Sequence, residues 1–165
     1  MLNHCKSDII VELTGDCPLI DYKLIDKIIN VYNNNNYDYV SNSHVRSYPD
    51  GFDVQVFSTK LLGEVSLLTK DSYDRENVSS FIYRSDRYKT FAVIAEENLF
   101  WPELRVTLDD KGDYLLIKNI IENIGEDYHV NDVVKYVREN ISLLNLNKDA
   151  RVVDAPFQKL TKNNE

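Results

Sequence analysis

Residues 8–21 read D-I-I-V-E-L-T-G-D-C-P-L-I-D, from Asp8 to Asp21. Ile9 to Leu13, broken only by Glu12, is an apolar run of strand length, and it stops at Thr14-Gly15, a turn signal. Asp16 is therefore expected just past the carboxyl end of a strand. In open α/β sheets ligands bind at that edge, because loops converge there on a crevice outside the packed layers. A carboxylate so placed is a candidate ligand for a metal ion or a hydroxyl. Pro18, with no N–H and a fixed φ, stiffens the turn that follows. Asp21 is positioned to cap a helix over Tyr22 to Asn34, where Leu24, Ile25, Ile28, Val31 and Tyr32 recur at helical spacing.

The rest of the chain continues the alternation. Tyr37 to Ser41 reads as a strand, Asn42 to Tyr48 is polar and irregular, and Pro49-Asp50-Gly51 is a turn in which glycine supplies a positive φ. Asp53 to Ser58 alternates, with Val54 and Val56 on one face. Thr59 to Thr69 and Ser72 to Ser85 read as helices, the second carrying Val78, Phe81 and Ile82. Phe91 to Ala95 and Leu104 to Leu108 read as strands. Ile117, Ile120, Ile121 and Ile124 mark a helix closed by Gly125, and Asn131 is expected to cap a last helix carrying Val133, Val134 and Val137. With no repeat or internal linker, residues 1–150 are expected to form one domain and residues 151–165 a polar tail, frayed from Lys159.

Composition narrows the function. The 165 residues are 43% hydrophobic and 28% charged, which suits one soluble globular domain. A net charge of −8 argues against nucleic-acid or anionic-membrane partners, which require a basic face. Cys5 and Cys17 flank the first strand, so no disulfide is expected, and a reducing, cytoplasmic setting fits. No apolar stretch approaches the length of a membrane span.

Two carboxylate sites fall at strand ends: Asp16, and Asp109 with Asp110. Brought together they would suit Mg²⁺, which takes one or two carboxylates plus phosphate and water; taken singly they read as turn or N-cap residues. In Y-P-D-G-F-D-V-Q-V-F, Asp50, Asp53 and Gln55 could bond sugar hydroxyls, with Tyr48 or Phe52 stacking on the ring; the plain reading is a well-made turn and a solvated strand face. Arg75 beside Glu76, Arg46 and Arg105 are candidate anion grips. His4, His44 and His129 have no zinc-site spacing, and the 165 residues contain no phosphate-cradling glycine loop.

Five motifs in order carry a resemblance: L-T-G-D-C-P-L-I-D at Leu13 to Asp21, Y-D-Y-V-S-N at Tyr37 to Asn42, Y-P-D-G-F-D-V-Q-V-F at Tyr48 to Phe57, R-E-N-V at Arg75 to Val78 and L-R-V-T-L-D at Leu104 to Asp109. Together they resemble the spore-coat polysaccharide biosynthesis cytidylyltransferases, relatives of the acylneuraminate and 3-deoxy-manno-octulosonate enzymes. The resemblance implies a three-layer α/β/α nucleotide-diphospho-sugar transferase fold with a mixed, mainly parallel sheet. It implies CTP and a sugar or sugar acid as substrates, joined with release of pyrophosphate. Asp16 and Asp109 would hold Mg²⁺. Asp50, Gly51, Asp53 and Gln55, with Tyr48, Arg46 and Arg105 around them, would face the sugar, and Arg75 with Glu76 would order it.

Two departures from the family shape the expectation. The family's opening strand and its glycine, arginine and lysine-bearing loop, which grips the triphosphate, are not here; at least one βαβ unit, roughly 30 residues, would lie before Met1. Asn77 stands where the family usually has His. The expected molecule is thus the carboxyl-terminal portion of a cytidylyltransferase, inactive alone. The alternatives are a non-catalytic sugar-binding or assembly module, paired with a second copy or a complementing chain, and a glycosyltransferase. The last needs a D-x-D metal motif that Asp50 and Asp53, three apart, do not supply.

Overall fold

The computed structural model describes residues 7–77, 79–149 and 158–159. Its centre is a four-stranded sheet in the order β1-β4-β2-β5, formed by Ile9–Glu12 (β1), Tyr39–Ser41 (β2), Gln55–Ser58 (β4) and Thr90–Ala92 (β5). β4 runs antiparallel to both β1 and β2, while β2 and β5 are parallel. Three of the four strands therefore point the same way, and their carboxyl ends share one rim.

Alternation divides the sheet's side chains between two cores. Val40 and Val56 face α1 (Tyr22–Asn33), α5 (Lys111–Ile124) and α6 (Val130–Glu139), meeting Leu24, Ile28, Leu116, Ile117, Ile120 and Val133. Tyr39 and Phe57 face the other way, onto Leu61 and Val65 of α2 (Thr59–Leu68) and Ile82 of α4 (Ser80–Arg84). This is the expected three-layer α/β/α arrangement with a mixed sheet.

Several elements differ from the sequence reading. The helix expected over Ser72 to Ser85 is two short ones, α3 (Ser72–Glu76) and α4, because Asn77 ends the first by folding back on Tyr73 and the chain turns through Ser79. Val78 lies outside the described residues. Leu104 to Leu108 is no strand: its amides serve three different loops, Leu104 bonding to Trp101, Val106 to Asp50 and Leu108 to Asp16. The segment expected to be irregular holds a two-residue strand, β3 (Val45–Arg46), paired in parallel with β6 (Gln158–Lys159). α6 begins two residues earlier than expected, with His129 rather than Asn131 as its cap, and the His129 N–H bonds to Asp132. Cys5 lies outside the described residues; Cys17 is a buried free thiol. Among the described residues no helix is long and apolar enough to cross a membrane.

Candidate active site

Three loops meet beyond the carboxyl ends of the parallel strands. The first leaves β1 through Thr14 and Gly15 to Asp16. The second is the turn at Pro49 to Asp53, and the third is the run from Leu104 to Asp110 that leads into α5. Backbone bonds stitch them together: Asp50 N–H donates to Leu104 (2.8 Å), Val106 N–H to Asp50 (2.7 Å) and Leu108 N–H to Asp16 (2.8 Å). The last bond places Asp109, the next residue, on the same rim as Asp16. Gly51 takes φ 113°, and its Cα lies so close to Val106 that no side chain fits between them.

A line of charges runs along these loops. The Arg46 guanidinium grips both oxygens of Asp53 (2.8 and 2.7 Å) and reaches Asp50 at 3.3 Å. Arg105 reaches Asp50 at 3.8 Å, contacts Asp109, and bonds to buried Asp113 at 3.0 Å. Two arginines are thus held among four carboxylates, and both cations are largely buried. Burial pushes the Asp50 carboxyl above the usual carboxylate range, and Arg46 only partly offsets it. Burial pushes the Cys17 thiol up to about 12, with the charges of Asp53, Asp16 and Asp50 adding to the effect.

The other expected residues divide. Gln55 is committed to the second core's side, its Oε1 accepting from the Tyr39 hydroxyl and from Ser79 Oγ at 2.7 Å. The rings of Tyr48 and Phe52 are 1% and 0% exposed and sit in the larger core, so neither offers a face for a sugar to stack on. Arg75 donates to the Ser66 carbonyl on the surface of α2, and among the described residues it makes no ion pair with Glu76. Neither residue joins the line of charges. α3 stops at Glu76, and the chain that reaches the sheet is the next turn, where Ser79 bonds to Gln55.

Sequence reasoning missed three contributors. Asp113 is the deepest anchor of Arg105, and its signal was available, since D-x-x-D at Asp110 to Asp113 is a capping-box spacing and both reciprocal bonds form. Asn147, which bonds to Asp113 and to the Arg105 carbonyl, had no local signal. Glu12, the one acid in the first apolar run, points its Oε2 into the interior without a hydrogen-bond partner, and burial raises its pKa.

Among the described residues no group of three or more His, Cys, Asp or Glu side chains is placed to hold a metal ion. These residues alone therefore form no metal cage. Asp16 and Asp109 are both oxygen donors, the donor type taken by an ion that completes its shell with phosphate and water.

A model of the cytidylyltransferase family matches residues 1–106. This chain belongs to the cytidylyltransferase family. Among its relatives, the spore coat polysaccharide biosynthesis protein SpsF of Bacillus subtilis is 32% identical over 153 residues, spanning 91% of this chain and 60% of SpsF. The uncharacterized protein MJ1063 of Methanocaldococcus jannaschii is 30% identical over 150 residues, spanning 88% of this chain and 60% of that one. A cytidylyltransferase structure from Leptospira borgpetersenii superposes with a TM-score of 0.78 at 28% identity, covering 82% of this chain and 58% of its own. The chain thus spans about three-fifths of the length of the relatives it matches.

Proposed function

We propose that this chain carries the metal-binding and sugar-facing side of a cytidylyltransferase that makes a CMP-sugar for surface or spore-coat polysaccharide. A sugar hydroxyl attacks the α-phosphate of CTP, a new oxygen–phosphorus bond forms, and the bond to pyrophosphate breaks. Asp16 and Asp109 would hold Mg²⁺, which neutralises charge developing on the phosphates. Asp50 and Asp53, fixed by Arg46 and Arg105, accept hydrogen bonds from the sugar's hydroxyls. Held by bidentate and paired contacts, these carboxylates are oriented before the sugar arrives, which is how positioning lowers a barrier.

The observation that carries this reading is the bond from Leu108 N–H to the Asp16 carbonyl, which brings two acids 93 residues apart in sequence to one rim beside the Asp50 turn. The cationic glycine loop that would grip the triphosphate is not in these 165 residues. On this reading the chain alone binds Mn²⁺ but holds CTP weakly and does not turn it over. Titration calorimetry with Mn²⁺, and with CTP plus Mg²⁺, tests both halves. Loss of Mn²⁺ binding in Asp16→Asn and in Asp109→Asn supports the metal pair; binding indifferent to both variants removes it. Tight CTP binding by this chain would show that the nucleotide grip lies within it.

A further inference from the structure

Asp113 receives more donors than a helix cap requires. A capping box needs only the Asp110 N–H, which approaches at 3.3 Å. The same carboxylate also takes the Asp109 N–H (3.1 Å), Arg105 Nη2 (3.0 Å) and Nε (3.4 Å), and Asn147 Nδ2 (3.0 Å). Arg105 Nη2 is shared, touching Asp113 Oδ2 on one side and Asp109 Oδ2 on the other. The two carboxylates are not equivalent: the Asp113 side chain is 0% exposed, whereas that of Asp109 is 52% exposed. One is fixed and the other can leave.

We propose that Asp113 is a positioning residue, the permanent seat that retains Arg105 so that Asp109 can turn from the guanidinium to a divalent cation, with Asn147 locking that seat. The inference rests on reading Asp16 and Asp109 as the ligand pair. Arg105 now occupies one Asp109 oxygen, Oδ2, and its positive charge there opposes a cation on the same carboxylate. With Asp113 charged, Arg105 keeps two bonds to it after Asp109 departs. With Asp113 neutral, Asp109 becomes the strongest partner Arg105 has, and the guanidinium competes directly with the ion. Asn147 bonds both to Asp113 and to the Arg105 carbonyl (3.1 Å), and Gly112 permits the close approach, since a Cβ there would lie 2.4 Å from the Leu146 carbonyl oxygen. Asp113 and Asn147 both lie beyond the residues that the family model matches.

The test compares the native chain with Asp113→Asn, Asn147→Ala and the double variant Asp113→Asn/Arg105→Gln. Mn²⁺ affinity is read by electron paramagnetic resonance, and solvent exchange of the Arg105 Nε–H by NMR. Asp113→Asn should weaken Mn²⁺ binding by about 10- to 100-fold, the usual effect of losing a partner that orients a metal ligand. Asn147→Ala, which removes one neutral donor and leaves the Arg105 bonds to Asp113 in place, should weaken it less. Both should speed Nε–H exchange. The double variant, which removes the competitor as well, should return the affinity to within about threefold of native; a purely structural role for Asp113 gives no such rescue. Mn²⁺ affinity equal in the native chain and both single variants overturns the proposal, as does failure of the rescue. If the native chain binds no Mn²⁺, the ligand-pair reading is what fails, and unchanged Nε–H exchange then overturns the seat as well.

Discussion

At Gly51 the backbone takes φ 113°, and a Cβ would lie 2.8 Å from the carbonyl carbon of Val106, which is backbone and cannot rotate away. Gly51→Ala should therefore cost about 2–4 kcal/mol, conformational strain and steric overlap together. Chemical denaturation reads this directly, and an unchanged midpoint would mean that the turn is not seated on residues 104–106. His44 carries a second prediction. It is buried between Tyr39 and Tyr83, its Nδ1 lies 3.2 Å from Ser41 Oγ, and burial pushes its pKa from 6.5 down to about 4. Between those values the unfolded chain binds a proton that the folded chain refuses, so stability is present above about pH 6.5 and is lost as pH falls toward 4, by about 3 kcal/mol at most. Glu12 and Asp50, raised by burial, tilt the other way, so the effect is isolated by difference. Unfolding of the native chain and of His44→Gln at pH 7 and pH 4.5 should show the native chain losing more by about 2 kcal/mol. Parallel losses would show that His44 does not titrate as a buried neutral group.

Asp21 joins two helices. Its Oδ1 accepts the Lys23 N–H of α1 at 2.8 Å and lies 3.1 Å from His129 Nδ1, while its Oδ2 accepts the Val130 N–H of α6 at 2.9 Å. Asp21→Ala should thus cost about 2–4 kcal/mol, twice the usual price of one cap, and hydrogen exchange should rise in the first turns of both helices. A rise in α1 alone would leave the α6 bond without weight. Half of this was legible in the sequence: Asp21 before an apolar-periodic run announces α1, but nothing local tells that the same carboxylate serves a helix 108 residues later. The same limit governs the site. Asp16 and the Asp50–Gly51 turn announce themselves through strand ends and turn chemistry, which are local. Tyr48 and Phe52 misled because an aromatic beside a turn looks exposed until the sheet and helices close over it. Leu104 to Leu108 looked like a strand because its apolar alternation is real, yet its amides are spent on three separate loops, a fact that only tertiary structure holds.

At the scale of the molecule, the sheet is covered on both faces, and among the described residues β1 and β5 are its two open edges. β1 ends the strand order, with β4 on one flank and no strand among the described residues on the other. Open edges carry unpaired backbone groups and invite pairing with another chain. A net charge of −8 opposes this between identical copies, because two like-charged molecules must approach within a few ångströms. That repulsion is screened as the Debye length falls from about 10 Å at 0.1 M salt to about 3 Å at 1 M, whereas main-chain hydrogen bonds and apolar contact are not. Sedimentation velocity should accordingly show a monomer in dilute buffer and a growing faster-sedimenting species as salt is raised toward about 1 M. Replacing half-buried Val11, in the middle of β1, with Lys keeps the backbone pairing with β4 while removing apolar contact and setting an ammonium that an added strand would have to bury, and it should abolish the faster species. A monomer at every salt concentration in the native chain would mean that the edge is already blunted.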